Sequence, residues 1–385
     1  MLKVMTVVGT RPELIRLSRV IARLDATVDH VLVHTGQNYD YALNEVFFRD
    51  LGIREPDHLL GVDTSSLGAV LGGTLIATER VITEEQPDAL LVLGDTNSCI
   101  AALMAKRMKV PVYHMEAGNR CFDENVPEET NRRLVDHVAD FNLVYTEHAR
   151  RNLLAEGLHP RRILKTGSPM REVLDHYRAE IEGSDVLERL ALKERGYFLV
   201  SAHREEHVDA PERLRMLLGC LTAVREKFGL PVLVSTHPRT RKRLEDLTDW
   251  TAPEGITFHE PLGFHDYNRL QLSAACTLSD SGTISEESAI LGFPAVTLRE
   301  SIERPEALDT GAMIMTGLDV DDVLAAVKLA AWAGRDIGMA PRGGRDHVIP
   351  DDYRIGNTSE RTAKFILSTA RRHQAWAGLR VYNNE

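Results

Sequence analysis

The residues of this chain best suited to chemistry are short polar clusters, each placed directly after an apolar run. Asp95 lies in GDTN, Glu116 in EAGNR, and Glu128 and Glu129 in PEETNRR. Carboxylates gathered in one pocket push each other's pKa values apart, which supplies an acid and a base together. His203, in SAHREE, adds a group that can donate a proton or hold an anion. A second kind of chemistry is written in SDSGTISEE, residues 279–287. A strand there turns through Ser281 and Gly282 into a helix, whose first N–H groups and dipole suit a diphosphate. Glu287, one turn in, can accept the hydroxyl protons of a ribose. Arg11, in GTRPE, stands at a similar turn, with Pro12 fixing the helix start.

Taken singly, each cluster also reads as a turn or a helix cap. Their common position argues otherwise. Apolar, β-rich runs at 3–8, 31–34, 90–93, 112–115, 141–145, 197–201, 232–235, 256–259, 276–278 and 295–298 alternate with amphipathic stretches at 13–24, 98–108, 147–156, 211–228 and 285–291. That alternation predicts βαβ units and parallel sheets. Eight polar loops follow Val8, His34, Leu93, Met115, Val200, Ser235, Leu278 and Leu298. In open parallel sheets, ligands bind outside the carboxyl ends of the strands where strand order reverses.

The fold class expected is therefore α/β, with two Rossmann-like domains facing a cleft. A length of 385 residues agrees with two domains. The expected boundaries are 1–168 and 169–358, the join falling in the charge-rich helical stretch 167–195. A closing helix at 359–376 follows, and periodicity leaves open whether it and the rest of 359–385 return to the first domain.

A net charge of -11, from 46 basic and 57 acidic residues, argues against a nucleic-acid binder that works by neutralising phosphates. No apolar run approaches the roughly 20 residues that span a bilayer. The first residues lack a signal peptide's apolar region and cleavage site, so a cytoplasmic location is expected, without membrane attachment. Cys99, Cys121, Cys220 and Cys276 are scattered without a CxxC pair, and no HxH, HExxH or DxD pattern suggests a metal site. The absence of GxGxxG disfavours a nicotinamide dehydrogenase.

With these residues assembled, the chain resembles the non-hydrolysing UDP-N-acetylglucosamine 2-epimerases, enzymes of glycosyltransferase-B-type architecture. GTRPE, GDT, EAG, PEETNR, HRE, SDSGTISEE and ERPEA match in order from Gly9 to Ala307. The resemblance implies Asp95, Glu116 and Glu128 as the acid/base set, with His203 and Arg11 approaching the diphosphate. It implies phosphate contacts at Ser281 and Gly282, ribose at Glu287, phosphate or sugar at Arg304, and Tyr267 packed on uracil. Arg16, Gln37, Arg132 and His237 complete the expected substrate contacts. It further implies elimination and re-addition of UDP through a 2-acetamidoglycal, without metal or other cofactor, by a homodimer acting on a UDP-sugar.

Several loops depart from the common family wording. Arg16 replaces the usual lysine, QNYD occupies 37–40, and NRCFDENV precedes PEE. These loops surround the sugar or, in some bacterial members, an allosteric UDP-N-acetylglucosamine, so such activation is not expected here. HTGQNYDY, HMEAGNRCFD and STHPRTR resemble the branch that converts UDP-2-acetamido-2,6-dideoxy-L-talose into UDP-N-acetyl-L-fucosamine. A 6-deoxy sugar calls for an apolar contact near C6, for which Phe122 and Met115 are candidates.

Overall fold

The computed structural model describes residues 1–36, 48–247, 250–336 and 349–378, with the backbone alone for 332–336. The chain divides into two compact units, Met1–Val173 with Ile355–Glu385, and Leu174–Arg354.

The first unit is built on seven parallel strands: β1 (Lys3–Val8), β2 (Asp29–His34), β3 (His58–Leu59), β4 (Ala89–Leu93), β5 (Val112–Met115), β6 (Phe141–Val144) and β7 (Ile163–Lys165). All five residues of β4 are buried, as a strand covered by helices on both faces requires. The spatial order is β3-β2-β1-β4-β5-β6-β7. From β1 the chain winds outward one way to β3, then restarts on the other side at β4. Strand order therefore reverses between β1 and β4, and their exit loops share the crevice there.

Helix α1 (Arg11–Asp25) buries Leu14, Leu17, Val20, Ile21 and Leu24 along one face. Next come α2 (Leu67–Glu85), α3 (Ala101–Arg107) after a one-turn 3-10 helix at Asn97–Ile100, α4 (Pro127–Val138) and α5 (Glu147–Ala155). The C-terminal helix Thr358–Trp376 packs on α1. Thr369 Oγ1 lies 2.6 Å from the Tyr113 hydroxyl, and Phe365 meets Phe141 edge-on at 5.2 Å between ring centroids. Ser359 N–H donates to Glu172 at 2.8 Å. These bonds tie the closing helix to the first unit.

The second unit repeats the plan with six parallel strands: β8 (Phe198–Ser201), β9 (Val232–Ser235), β10 (Ile256–His259), β11 (Cys276–Ser279), β12 (Ala295–Thr297) and β13 (Ile314–Met315). Their order, β10-β9-β8-β11-β12-β13, reverses between β8 and β11. Helices α6 (Pro211–Phe228), α7 (Phe264–Ser273), α8 (Ile284–Leu291) and α9 (Val320–Asp336) flank the sheet. Val200, Leu278, Val296, Leu217, Leu221, Val323 and Val327 share one buried cluster. Helices α6 and α8 end on Gly229 and Gly292, at φ 71° and 78°, where a side chain would be strained.

Candidate active site

At the reversal point of the first unit, Asp95 follows β4. Arg132 of α4 forks onto its Oδ2 through Nε at 2.9 Å and Nη2 at 2.6 Å, and its Nη1 donates to Glu129 Oε2 at 2.8 Å. Arg132 is 3% exposed, so it holds Asp95 from beneath rather than standing open to solvent. Glu129 also accepts from Cys121 N–H at 3.2 Å and from Arg133 Nε at 3.1 Å. Burial opposes its ionisation, but the Cys121 hydrogen bonds and the two arginines outweigh that, and the carboxyl lies below its ordinary value. Glu128, beside it in the first turn of α4, is half-buried.

Glu116 follows β5 in the left-handed backbone region, at φ 64°, and is 9% exposed. A non-glycine residue there costs about 1–3 kcal/mol and persists only when its surroundings impose it. The surroundings are dense. Arg16 of α1 pairs directly with Glu116 Oε2, and Asn119 Nδ2 donates to Oε1 at 3.3 Å. Behind this loop Asp136 accepts from Arg120 Nη1 at 2.7 Å and from Gly118 N–H at 3.1 Å, while Arg120 also grips Glu156 at 2.7 and 2.8 Å. His114 joins Asp136 at 2.9 Å to the Gly94 carbonyl at 2.7 Å, linking the exits of β4 and β5. A Cβ on Gly94 would stand 3.5 Å from Glu116 Oε2, so the loops that carry Asp95 and Glu116 touch. Arg11 is half-buried at the start of α1.

One carboxylate at this crevice was not singled out from sequence. Glu13 is 1% exposed and accepts four hydrogen bonds, from Gly9 N–H at 3.1 Å, Thr10 Oγ1 at 2.7 Å, Thr96 Oγ1 at 3.2 Å and Ser98 Oγ. Burial pushes its carboxyl up to about 7 against these bonds. The signal was present: Thr10 and Glu13 have capping-box spacing, in which the acid of the first turn reaches back to free N–H groups.

At the reversal point of the second unit, Asp280 follows β11 and is fully buried. It accepts from His203 N–H and Arg204 N–H, each at 2.9 Å, and from His207 Nδ1 at 3.0 Å. Burial would raise its carboxyl, but His207, the charge of His203 and the Arg204 N–H bring it down to about 2. His203 keeps 41% of its side chain exposed, stacked near His237 at 5.6 Å between centroids. Asp280 thus fixes the backbone from which the exposed imidazole projects.

Three arginines converge on one acid beside Gly282. Glu303 lies 3.4 Å from Arg204, 3.7 Å from Arg304 and in direct contact with Arg299. Arg304 Nη1 donates to the Gly282 carbonyl at 2.7 Å and its Nε lies 3.3 Å from Glu286. Two guanidinium nitrogens of Arg299, which is 1% exposed, find no hydrogen-bond partner among the described residues. A Cβ on Gly282 would collide with the Arg304 guanidinium, which explains the glycine. Ser281 Oγ lies 3.0 Å from Thr283 Oγ1, and no side chain caps α8 at Thr283. Glu287 is 8% exposed and accepts from Gln271 at 2.7 Å. Tyr267 of α7 packs against the Leu199, Leu233 and Leu270 cluster, and burial pushes its phenol well up.

Sequence reading thus named residues that the fold gathers into two groups: Asp95, Glu116, Arg16 and Arg132 in the first unit, and His203, His237, Ser281, Gly282, Arg304 and Glu287 in the second. Gln37 lies outside the described residues. Met115 is corrected: it is fully buried in β5, with Thr362 Oγ1 on its sulfur at 3.9 Å, and cannot touch a sugar. Phe122 is 71% exposed, at φ 56°. Among the described residues no group of three or more His, Cys, Asp or Glu is placed to hold a metal ion, and no helix is long and apolar enough to cross a membrane. Cys99, Cys121, Cys220 and Cys276 are all free thiols.

The two parallel-sheet α/β units match the glycosyltransferase-B-like architecture of solved UDP-GlcNAc 2-epimerases. The family model described as UDP-N-acetylglucosamine 2-epimerase matches residues 22–367. The chain belongs to that family and is an isomerase, a non-hydrolysing UDP-sugar 2-epimerase. A UDP-N-acetylglucosamine 2-epimerase structure from Rickettsia bellii is 44% identical with a TM-score of 0.89, covering 97% of this chain and 98% of that one. The Methanocaldococcus jannaschii UDP-GlcNAc 2-epimerase, solved in complex with UDP-GlcNAc and UDP, is 32% identical with a TM-score of 0.87, at 95% and 100% coverage. A UDP-2,3-diacetamido-2,3-dideoxy-D-glucuronate 2-epimerase from Pseudomonas aeruginosa is 33% identical over 95% of this chain and 99% of its own length.

Proposed function

We propose that this enzyme inverts C2 of a UDP-2-acetamido sugar by eliminating UDP and adding it back, with UDP-2-acetamido-2,6-dideoxy-L-talose and UDP-N-acetyl-L-fucosamine as its substrate pair. The observation that carries the chemistry is the pair of carboxylates Asp95 and Glu116 on touching loops, each held by its own buried arginine. A C2 hydrogen of a pyranose is not acidified by a carbonyl, so direct removal is slow. Elimination moves it as a proton to an enzyme base, the C2–H pair becomes the C1=C2 bond of a glycal, and the C1–O pair leaves on the β-phosphate. Re-addition restores that bond and delivers a proton to the opposite face. Two proton-transfer groups are therefore needed, and Asp95, Glu116 and Glu128 supply them.

The second unit holds the leaving group. Arg204, Arg299 and Arg304 converge on Glu303 beside Ser281, Gly282 and the start of α8, where guanidinium and helix N–H groups would donate to a diphosphate. His203 and Arg11 take phosphate oxygens, Glu287 the ribose, and Tyr267 the uracil. His237 stacks on His203 and keeps it in place. Arg16 and Arg132 orient the acid/base pair, and Gln37 contacts the sugar.

The choice of sugar rests on loop wording and on Phe122, whose exposed ring beside Cys121 offers an apolar contact to a C6 methyl. The names of the relatives favour a second reading, UDP-N-acetylglucosamine or a diacetamido uronate as substrate. A cytoplasmic homodimer feeding surface polysaccharide synthesis follows from the family resemblance. The test is deuterium incorporation at C2 when each UDP-sugar is incubated with enzyme in deuterated water. Exchange fastest with the L-talose compound is expected; exchange with UDP-N-acetylglucosamine alone would move the assignment to the second reading.

A further inference from the structure

We propose that Glu13 is a positioning residue for the epimerisation, clasping the loops that leave β1 and β4 so that Arg11 and Asp95 keep a fixed separation. The proposal rests on the acid/base reading of Asp95 given above. Its basis is geometric. One buried carboxylate draws donors from both loops at the strand reversal, Gly9 N–H and Thr10 Oγ1 from the first, Thr96 Oγ1 and Ser98 Oγ from the second. These four donors flank Arg11 on one side and Asp95 on the other. The fit is close: a Cβ on Gly9 would strike Thr35 Oγ1, so the loop after β2 leans on the same clasp. Thr96 Oγ1 and Ser98 Oγ lie 2.8 Å apart, so the two β4 donors meet the carboxylate side by side.

A buried acid without a cationic partner is costly, and a helix start needs only a serine or threonine to be capped. Glu13 does more than cap. Three of its four donors are hydroxyls, and two of those lie on a segment 83 and 85 residues away in sequence. Because small displacements of reacting groups cost rate more than binding, the clasp should show itself in kcat.

The experiment compares Glu13→Ala with Glu13→Gln in C2 exchange, using whichever UDP-sugar the wild-type enzyme turns over. Glutamine keeps a carbonyl oxygen for the Gly9, Thr10 and Thr96 donors, and the Ser98 hydroxyl can turn to accept from its amide. Glu13→Gln is expected to stay within about threefold of wild-type kcat, whereas Glu13→Ala loses about 10- to 100-fold with KM changed less than about threefold. A folded Glu13→Ala protein with wild-type kcat overturns the clasp; so does a Glu13→Gln protein as impaired as Glu13→Ala, which would make the charge itself the active feature. Should Glu13→Ala not fold, the double variant Thr96→Val, Ser98→Ala removes only the β4 donors and must lower kcat at least about fivefold at little change in KM. Unchanged kcat there also overturns the proposal. Failure of the acid/base reading is seen separately, as normal exchange by Asp95→Asn.

Discussion

The two reversal points are built alike, but their buried acids are shifted in opposite directions. In each unit a buried carboxylate gathers donors from the polar loops, Glu13 in the first and Asp280 in the second. Yet the Glu13 carboxyl is pushed up to about 7 and that of Asp280 brought down to about 2. Both are buried, so the difference lies in the donors. Glu13 meets hydroxyls and one N–H, all neutral, which do not offset the desolvation of a charge. Asp280 meets two backbone N–H groups, His207 and the charge of His203, which do. One fold device thus gives two electrostatic outcomes, set by the charge of what surrounds the acid.

Removing Asp280 should have the largest effect on stability. Asp280→Ala leaves two histidines and two N–H groups without their acceptor, and a loss of about 3–5 kcal/mol in urea denaturation is expected. A loss below about 1 kcal/mol would show that Asp280 is not the anchor of its loops.

Gly282→Ala should separate binding from chemistry. The new methyl must displace Arg304, so UDP affinity by calorimetry is expected to fall about 10- to 100-fold, as loss of a charge-assisted contact does. In the first unit, Arg132→Lys gives up the forked grip on Asp95 and Glu129. About a tenfold loss of kcat with unchanged UDP affinity is expected, since a lysine cannot reproduce both bonds. Weakened UDP binding in Arg132→Lys would return that residue to direct substrate contact.

Stability should also depend on pH, with a sign that differs between the units. A carboxyl raised from 4.5 to about 7 binds its proton more tightly when folded, so its contribution is complete below 4.5 and is lost as pH rises to about 7. Asp280, lowered from 3.8 to about 2, contributes above 3.8 and loses that contribution as pH falls toward 2. Denaturation midpoints across pH should therefore lose the decline between pH 4.5 and 7 in Glu13→Gln. A decline that persists unaltered would assign it to another group.

Much of this was legible in the sequence because parallel strands buried on both faces are continuous apolar runs, with their exits marked by polar clusters. Strands β3, β7 and β13 were missed since two or three residues carry no periodicity. The pairing of Arg16 with Glu116 spans 100 residues and depends on the left-handed backbone at Glu116, which no local pattern announces. Arg132 stood among the expected substrate contacts, and the helix phase that also turns it onto Asp95 appears only in three dimensions. Met115 was offered as an apolar contact near C6, but strand alternation sends its side chain to the closing helix. Glu13 was not singled out because its distant donors, Thr96 and Ser98, cannot be seen in a local pattern.

The central claim, that proton transfer at C2 belongs to the carboxylates of the first unit and UDP retention to the second, is tested most directly in Asp95→Asn. Deuterium exchange at C2 and UDP affinity are measured on the same folded preparation. The account predicts that exchange falls at least about 100-fold while the UDP Kd stays within about threefold of wild type. Exchange at the wild-type rate, or loss of UDP binding together with exchange, would contradict it.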